Sequence, residues 1–196
     1  MRARMALRFS KVKTELREVI LKNKPEALLL ASSKATVPVL ICSDDSVIDE
    51  SLDIMLWALQ QHNAHDWLQP EQLTKIHALI NHNDNLFKTH LDHYKYADRF
   101  PLHSQQHYRQ KGEEFLTLLE RQLEQHQFLV SDHVSLADIA IFPFIRQFAY
   151  VDIEWFETAA YPGLQGWLNF WLKSDLFLSV MHKHPAWNET QTTVYL

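Results

Sequence analysis

Thr36-Val37-Pro38-Val39-Leu40-Ile41-Cys42, then Ser43-Asp44-Asp45-Ser46, then Val47-Ile48-Asp49-Glu50-Ser51-Leu52-Asp53-Ile54, is the stretch on which the fold turns. Val37 to Cys42 is a short, branched apolar run and reads as a strand; the four polar residues after it make a turn. Val47-Ile48 is a short returning strand, and Glu50 to Gln61 is a strongly apolar helix. Pro38 has no N–H for a ladder, so it is tolerated near a strand only at an edge, a bulge or a cis turn. A cis Val37-Pro38 bond would turn the Val37 backbone outward, leaving its N–H and C=O to pair with a peptide-like ligand as an added strand. An ordinary strand-initial proline is the alternative. At the next junction Glu50 and Ser51 put a carboxylate and a hydroxyl beside the free N–H groups of a helix start. That combination can hold a zwitterion, its carboxylate on the N–H groups and the Ser51 hydroxyl, its ammonium on Glu50. Plain helix capping is the simpler role for the same two residues.

Upstream of this stretch, Asn23-Lys24-Pro25-Glu26 opens a helix that Ala27 to Ala31 continues and Ser32-Ser33 ends. Val12 to Ile20, rich in alternating charge and branched residues, predicts a strand. Met1 to Phe9 reads as an amphipathic helix, apolar at Met1, Met5 and Phe9 with Leu7 nearby, and it begins without a capping residue. Arg2 and Arg4 crowd the helix end where the macrodipole is already positive. Such a start predicts residues preceding Met1, and a basic helix end of this kind stabilises an anion or a thiolate. The order helix, strand, helix, hairpin, helix is most of a βαβ unit followed by a ββα unit, with the opening strand absent.

Downstream the pattern becomes polar from His62 to Pro70, and every later period is helical. The expected organisation is residues 1–61 as an α/β domain, 62–70 as a linker and 71–196 as an all-helical domain. Helices are predicted over Pro70 to Tyr96, Ser104 to His126, Ser135 to Tyr150, Tyr161 to Lys173 and Leu176 to Lys183. Val134-Ser135-Leu136-Ala137-Asp138-Ile139 reads as a capping box with a hydrophobic staple, Asp138 standing where the box usually has Glu or Gln. Its role is folding.

The 196 residues are 46% apolar and 12% aromatic, enough for a packed core, and the formal charge of −5 with dispersed basic residues excludes a nucleic-acid surface. No apolar run is long enough to span a bilayer and no signal peptide is visible, so no membrane partner is expected. Cys42 is the only cysteine, which rules out an intrachain disulfide and fits a reducing cytoplasm. It reads as a small buried hydrophobe. His103 and His107 could share a helix face, but no third ligand is specified and no metal site is expected.

Ser33-Lys34-Ala35-Thr36-Val37-Pro38-Val39-Leu40 with Val47-Ile48-Asp49-Glu50-Ser51-Leu52-Asp53-Ile54 resembles the glutathione-binding half of glutathione S-transferases, whose N-terminal domain is thioredoxin-like. Val134 to Ala140 and Tyr161-Pro162-Gly163-Leu164-Gln165-Gly166-Trp167-Leu168 are similar to helix starts in the family's all-helical domain. The resemblance implies α/β plus all-α, an incomplete thioredoxin-like domain followed by a helical bundle. It implies glutathione as co-substrate, with Val37 pairing with the cysteinyl unit, Pro38 cis, Glu50 and Ser51 holding the γ-glutamyl end and Lys34 meeting the glycine carboxylate. Ala35 departs from the glycine that the family often has there. Arg2 and Arg4 would favour a thiolate, with a solvated basic face as the alternative. The family's catalytic Tyr, Ser or Cys has no counterpart and is expected upstream of Met1, in a Cys-Pro-x-x segment after a first strand. Without that strand, Val12 to Ile20 and Val37 to Cys42 are expected to carry unpaired edges. The implied reaction is conjugation of glutathione to a small hydrophobic electrophile or its exchange with a disulfide, by a cytoplasmic homodimer. The competing reading is a non-catalytic transferase-fold protein acting through protein contacts.

Overall fold

The computed structural model describes residues 1–61, 64–188, 190 and 192–196. These form two compact units, Met1–Ala64 with Asp175–Leu196, and His65–Ser174. The first is α/β and the second all-helical, which is the fold class predicted from the sequence.

In the first unit, α1 (Arg2–Phe9) buries Ala3, Met5, Ala6 and Leu7. The expected stripe at Met1, Met5 and Phe9 is therefore shifted, with two alanines admitting the close approach of α3 (Ser51–Gln61), which buries Ile54, Met55, Ala58 and Leu59. Helix α11 (Asp175–Val180) also packs on α1. Helix α2 (Glu26–Ala31) has no buried residue, and Leu30 is 80% exposed. The sheet has two antiparallel strands among the described residues, β1 (Leu40–Ile41) and β2 (Val47–Ile48), with Leu40 opposite Ile48 and Ile41 opposite Val47. Its turn is held by Asp44, whose Oδ1 accepts from the Ser46 N–H at 3.1 Å and the Ser46 hydroxyl at 2.6 Å, while Asp45 takes the left-handed conformation.

Val12 to Ile20 is not a strand of this sheet. Ile20 bridges to Asn23 nearby, while Glu15 bridges to Tyr195 near the far end of the chain. Leu16 N–H donates to Val194 C=O at 2.8 Å, Leu196 N–H to Thr14 C=O at 2.9 Å and Trp187 N–H to Glu18 C=O at 2.8 Å. Lys13 stands 4.3 Å over the Tyr195 ring and Arg17 4.6 Å over the Trp187 ring. Cation–π contacts of this kind are worth about 0.5–1 kcal/mol each at exposed sites. The expectation of an unpaired edge is corrected for Thr14 to Glu18, because a partner far away in sequence supplies the missing hydrogen bonds.

Of the expected linker 62–70, His62 and Asn63 lie outside the described residues, Ala64–Trp67 is helical (α4) and Pro70–Gln72 is a single 3-10 turn. The run predicted as one helix from Pro70 to Tyr96 is α5 (Leu73–His82), a π-helical turn over Asn83–Phe87 and α6 (Lys88–Lys95). The wider turn carries Asn83 and Phe87 into the core, where Phe87 meets Phe115 and Phe148 with ring centroids 4.9 and 5.4 Å apart. Four further helices complete the unit, α7 (Gln105–Leu123), α8 (Leu136–Ala149), α9 (Ile153–Thr158) and α10 (Pro162–Lys173). Helix α9 was not expected; its start is capped by Asp152, which accepts from the Trp155 N–H at 3.1 Å. Among the described residues no helix is long and apolar enough to cross a membrane.

The capping box at α8 is present and extends beyond the helix it starts. Asp138 Oδ2 accepts from the N–H and the hydroxyl of Ser135, both at 2.9 Å, while Oδ1 accepts from the Leu129 N–H at 3.0 Å and the Trp167 indole N–H at 2.9 Å. The carboxyl is fully buried; burial pushes it above its ordinary value of 3.8, and the four donors oppose that by favouring the carboxylate. A second buried acid, Glu120 on α7, accepts from the Gly163 and Leu164 N–H groups at 2.8 and 2.7 Å and so caps α10.

Two stability tests follow from this packing. Asp138→Ala leaves three N–H donors in the core without an acceptor, at about 1–3 kcal/mol for each unmet group, and is expected to unfold the helical unit at growth temperature, read by circular dichroism. Gly112→Ala would place a Cβ 2.3 Å from Cε2 of Phe148. Overpacking of about 1–3 kcal/mol outweighs the roughly 1 kcal/mol gain in helix propensity, and the melting temperature is expected to fall by a few degrees.

Candidate functional site

The residues singled out between Lys34 and Ser51 lie on two short connections, one entering β1 and one leaving β2. Because Leu40 pairs with Ile48, the chain ahead of β1 and the chain beyond β2 run side by side out of the hairpin. Along the first, Ala35 has φ 51°, a left-handed conformation that costs a residue with a Cβ about 1–2 kcal/mol. This is where glycine would be unstrained. Val37 follows in a bend, 45% exposed, and the Val37–Pro38 peptide bond is cis. Among the described residues neither the N–H nor the C=O of Val37 makes a hydrogen bond within the chain.

Along the second connection, the Glu50 C=O accepts from the Ile54 N–H at 3.0 Å, which makes Glu50 the cap position of α3 and Ser51 its first helical residue. The first N–H groups of α3 therefore point out of the helix end beside both side chains. Arg2 at the start of α1 donates from Nε to Ser51 Oγ at 2.9 Å, so the N-terminal ends of two helices and a guanidinium converge on one hydroxyl. Arg4 is drawn elsewhere, to Glu18 at 2.9 Å.

The two connections are tied through Asp49. Its Oδ2 accepts from the Ser32 hydroxyl at 2.6 Å, and its Oδ1 stands 2.9 Å from Lys34 Nζ. The same ammonium donates to Glu50 Oε1 at 2.6 Å. These bonds from Ser32 and Lys34 hold the Asp49 carboxyl below its ordinary value of 3.8. Those to Glu50 and Asp49 hold the Lys34 ammonium above its ordinary 10.5. The structure thus joins Lys34, Glu50 and Ser51 into one polar surface with Arg2, Ser32 and Asp49, with Val37 and Pro38 on the neighbouring connection. Asp49, the hub of that surface, was missed in the sequence, where it figures only as the residue before Glu50. The signal available was charge balance, one lysine in the turn facing two adjacent acids. Among the described residues no group of three or more His, Cys, Asp or Glu side chains could hold a metal ion, and His103 and His107 stack with ring centroids 4.1 Å apart.

An α/β unit with a cis-proline turn beside a helix start, joined in one chain to an all-helical unit, defines a thioredoxin-like transferase fold. Residues 1–66 match the model of the glutathione S-transferase N-terminal domain and residues 68–169 that of the glutathione S-transferase C-terminal domain, and the chain belongs to the glutathione S-transferase family. Solved structures agree in fold. BphK, a bacterial glutathione S-transferase in a ternary complex, superposes with a TM-score of 0.76 at 22% identity, over 91% of this chain and 90% of that one. A sphingomonad glutathione S-transferase complexed with glutathione gives 0.74 at 20% identity, over 91% and 90%. Ure2p5 from Phanerochaete chrysosporium, cocrystallised with 1-(S-glutathionyl)-2,4-dinitrobenzene, gives 0.75 at 16% identity, over 91% and 86%. No curated protein sequence matches this chain.

The Asp49 tether sets a pH test. A carboxyl whose folded value is depressed contributes stability above its unfolded value, here 3.8, and loses it as pH falls through the lower folded value. The turn from Ser32 to Thr36 is expected to hold at neutral pH and to loosen in acid. The amide exchange of Lys34 and Ala35, relative to that of the β1–β2 amides, is the readout.

Proposed function

We propose that this chain binds glutathione at the surface between Lys34 and Ser51 and uses its thiol as a nucleophile. The observation that carries the reading is the Val37 backbone, whose N–H and C=O have no partner among the described residues, on the connection beside the one that leads into α3. In this reading the cysteinyl unit of the ligand pairs with Val37 as one rung of an added strand. Glu50 takes the γ-glutamyl ammonium, and the Ser51 hydroxyl with the first N–H groups of α3 takes the γ-glutamyl carboxylate. Lys34 meets the glycine carboxylate. Arg2 with the positive ends of α1 and α3 favours the thiolate.

The thiolate sulfur would form a bond to an electrophilic carbon of a small hydrophobic substrate, the leaving group departing with the bonding pair. With a disulfide substrate the sulfur would displace one thiolate and form a mixed disulfide. Family membership supports the glutathione reading, as does the glutathione bound in the sphingomonad relative. A homodimer in the cytoplasm is the assembly and location that go with this reading.

Titration calorimetry with glutathione tests it. The chain is expected to bind, and Glu50→Gln is expected to weaken binding about tenfold, or about 1.4 kcal/mol, by removing the charge opposite the ammonium. Unchanged affinity in Glu50→Gln would count against the placement. A chain that neither binds glutathione nor stays on a glutathione resin would leave the non-catalytic reading standing.

A further inference from the structure

The carboxylate assigned above to the ligand's ammonium is already engaged in the free protein, because Lys34 Nζ lies 2.6 Å from Glu50 Oε1. The same ammonium is 2.9 Å from Asp49 Oδ1, and the other oxygen of Asp49 is fixed by the Ser32 hydroxyl at 2.6 Å. One ammonium thus serves two carboxylates. We propose that ligand binding at this site is a cation exchange: the γ-glutamyl ammonium displaces Lys34 from Glu50, and Lys34, kept in reach by Asp49, turns to the distal carboxylate of the ligand. The inference rests on the glutathione reading of the site and adds a specificity device to it.

Charge and geometry make the exchange feasible. After it, Glu50 faces the incoming ammonium, and Lys34 keeps one of its two acids while gaining the ligand's carboxylate, so every charge retains an opposite neighbour. The Lys34 and Glu50 side chains are 48% and 60% exposed, where ion pairs are weak and exchange freely. Asp49 is the less exposed acid at 26%, and its bond to Ser32 fixes it to the end of α2. It is a positioning residue, holding the lysine where the distal end of the ligand would arrive. The device discriminates: a ligand with an ammonium but no distal carboxylate must displace Lys34 without giving it a new partner.

Calorimetry on the full chain, with glutathione and its glycine monoethyl ester as paired ligands, reads this directly. In the native chain glutathione is expected to bind about two- to fivefold more tightly than the ester. Lys34→Met is expected to bind the ester more tightly than the native chain does, by about two- to fivefold, because Glu50 is no longer occupied, and to lose the preference for the free acid. Asp49→Asn is expected to lose most of that preference and Asp49→Glu to restore it, which a merely structural role at this exposed turn would not produce. Weaker or equal ester binding by Lys34→Met, or a native preference in Asp49→Asn, overturns the exchange while leaving the glutathione reading intact. A native chain that binds neither ligand overturns both.

Discussion

The helical unit depends on one buried carboxylate. Asp138 lies in the core with four donors on its two oxygens, and those donors come from three places: the start of α8, the loop at Leu129 and the indole of Trp167 on α10. A charge in that position is tolerated only because every lone-pair direction is answered, and for the same reason it specifies a single arrangement. Shift any of the three segments and an N–H is left in an apolar interior. The aromatic packing around it, Phe142 against Trp167 and Trp171 at 6.2 and 6.1 Å, supplies area, while Asp138 supplies register.

The first unit is organised differently, with little sheet and a small apolar core between α1, α3 and α11. Its polar chemistry gathers where elements end: the last residue of α2 leads to Ser32, the hairpin delivers Asp49, and α1 and α3 bring their N-terminal ends to Arg2 and Ser51. Helix ends have unmet N–H groups and turns have unmet carbonyls, so a ligand carrying both kinds of charge finds partners there without any buried ion having to be built. The surface is exposed and screened, so its ion pairs are weak and exchange readily.

Much of this was legible in the chain. Pro38 before an apolar run announced a special turn, Ser135 with Asp138 announced a helix start, and Ser43 to Ser46 between two apolar pairs announced a hairpin, because each is a local rule with a local cause. What escaped was set by contacts distant in sequence. Val12 to Ile20 has strand-like composition, yet its partner is a segment near residue 196 that no periodicity in the window contains. The π-helical turn over Asn83–Phe87 preserves a helical pattern while Asn83 and Phe87 are buried, so a 3.6-residue period passes over it. Gly112 reads as a mild defect in a helix until Phe148 is seen standing where its Cβ would be. Asp49 was overlooked because an acid beside another acid at a helix start looks like dipole compensation; only the lysine across the hairpin gives it a second purpose.

The pairing of Thr14, Leu16 and Glu18 with Leu196, Val194 and Trp187 bears on how the chain reaches its native state. The first unit is discontinuous, its two parts separated in sequence by the whole of the second. During synthesis the whole of His65–Ser174 is made before the segment that pairs with Thr14, Leu16 and Glu18. The entropic cost of closing a loop grows only with the logarithm of its length, so the separation of the two parts in sequence adds little to it. The α/β unit thus takes its closing segment from the part of the chain that is made last.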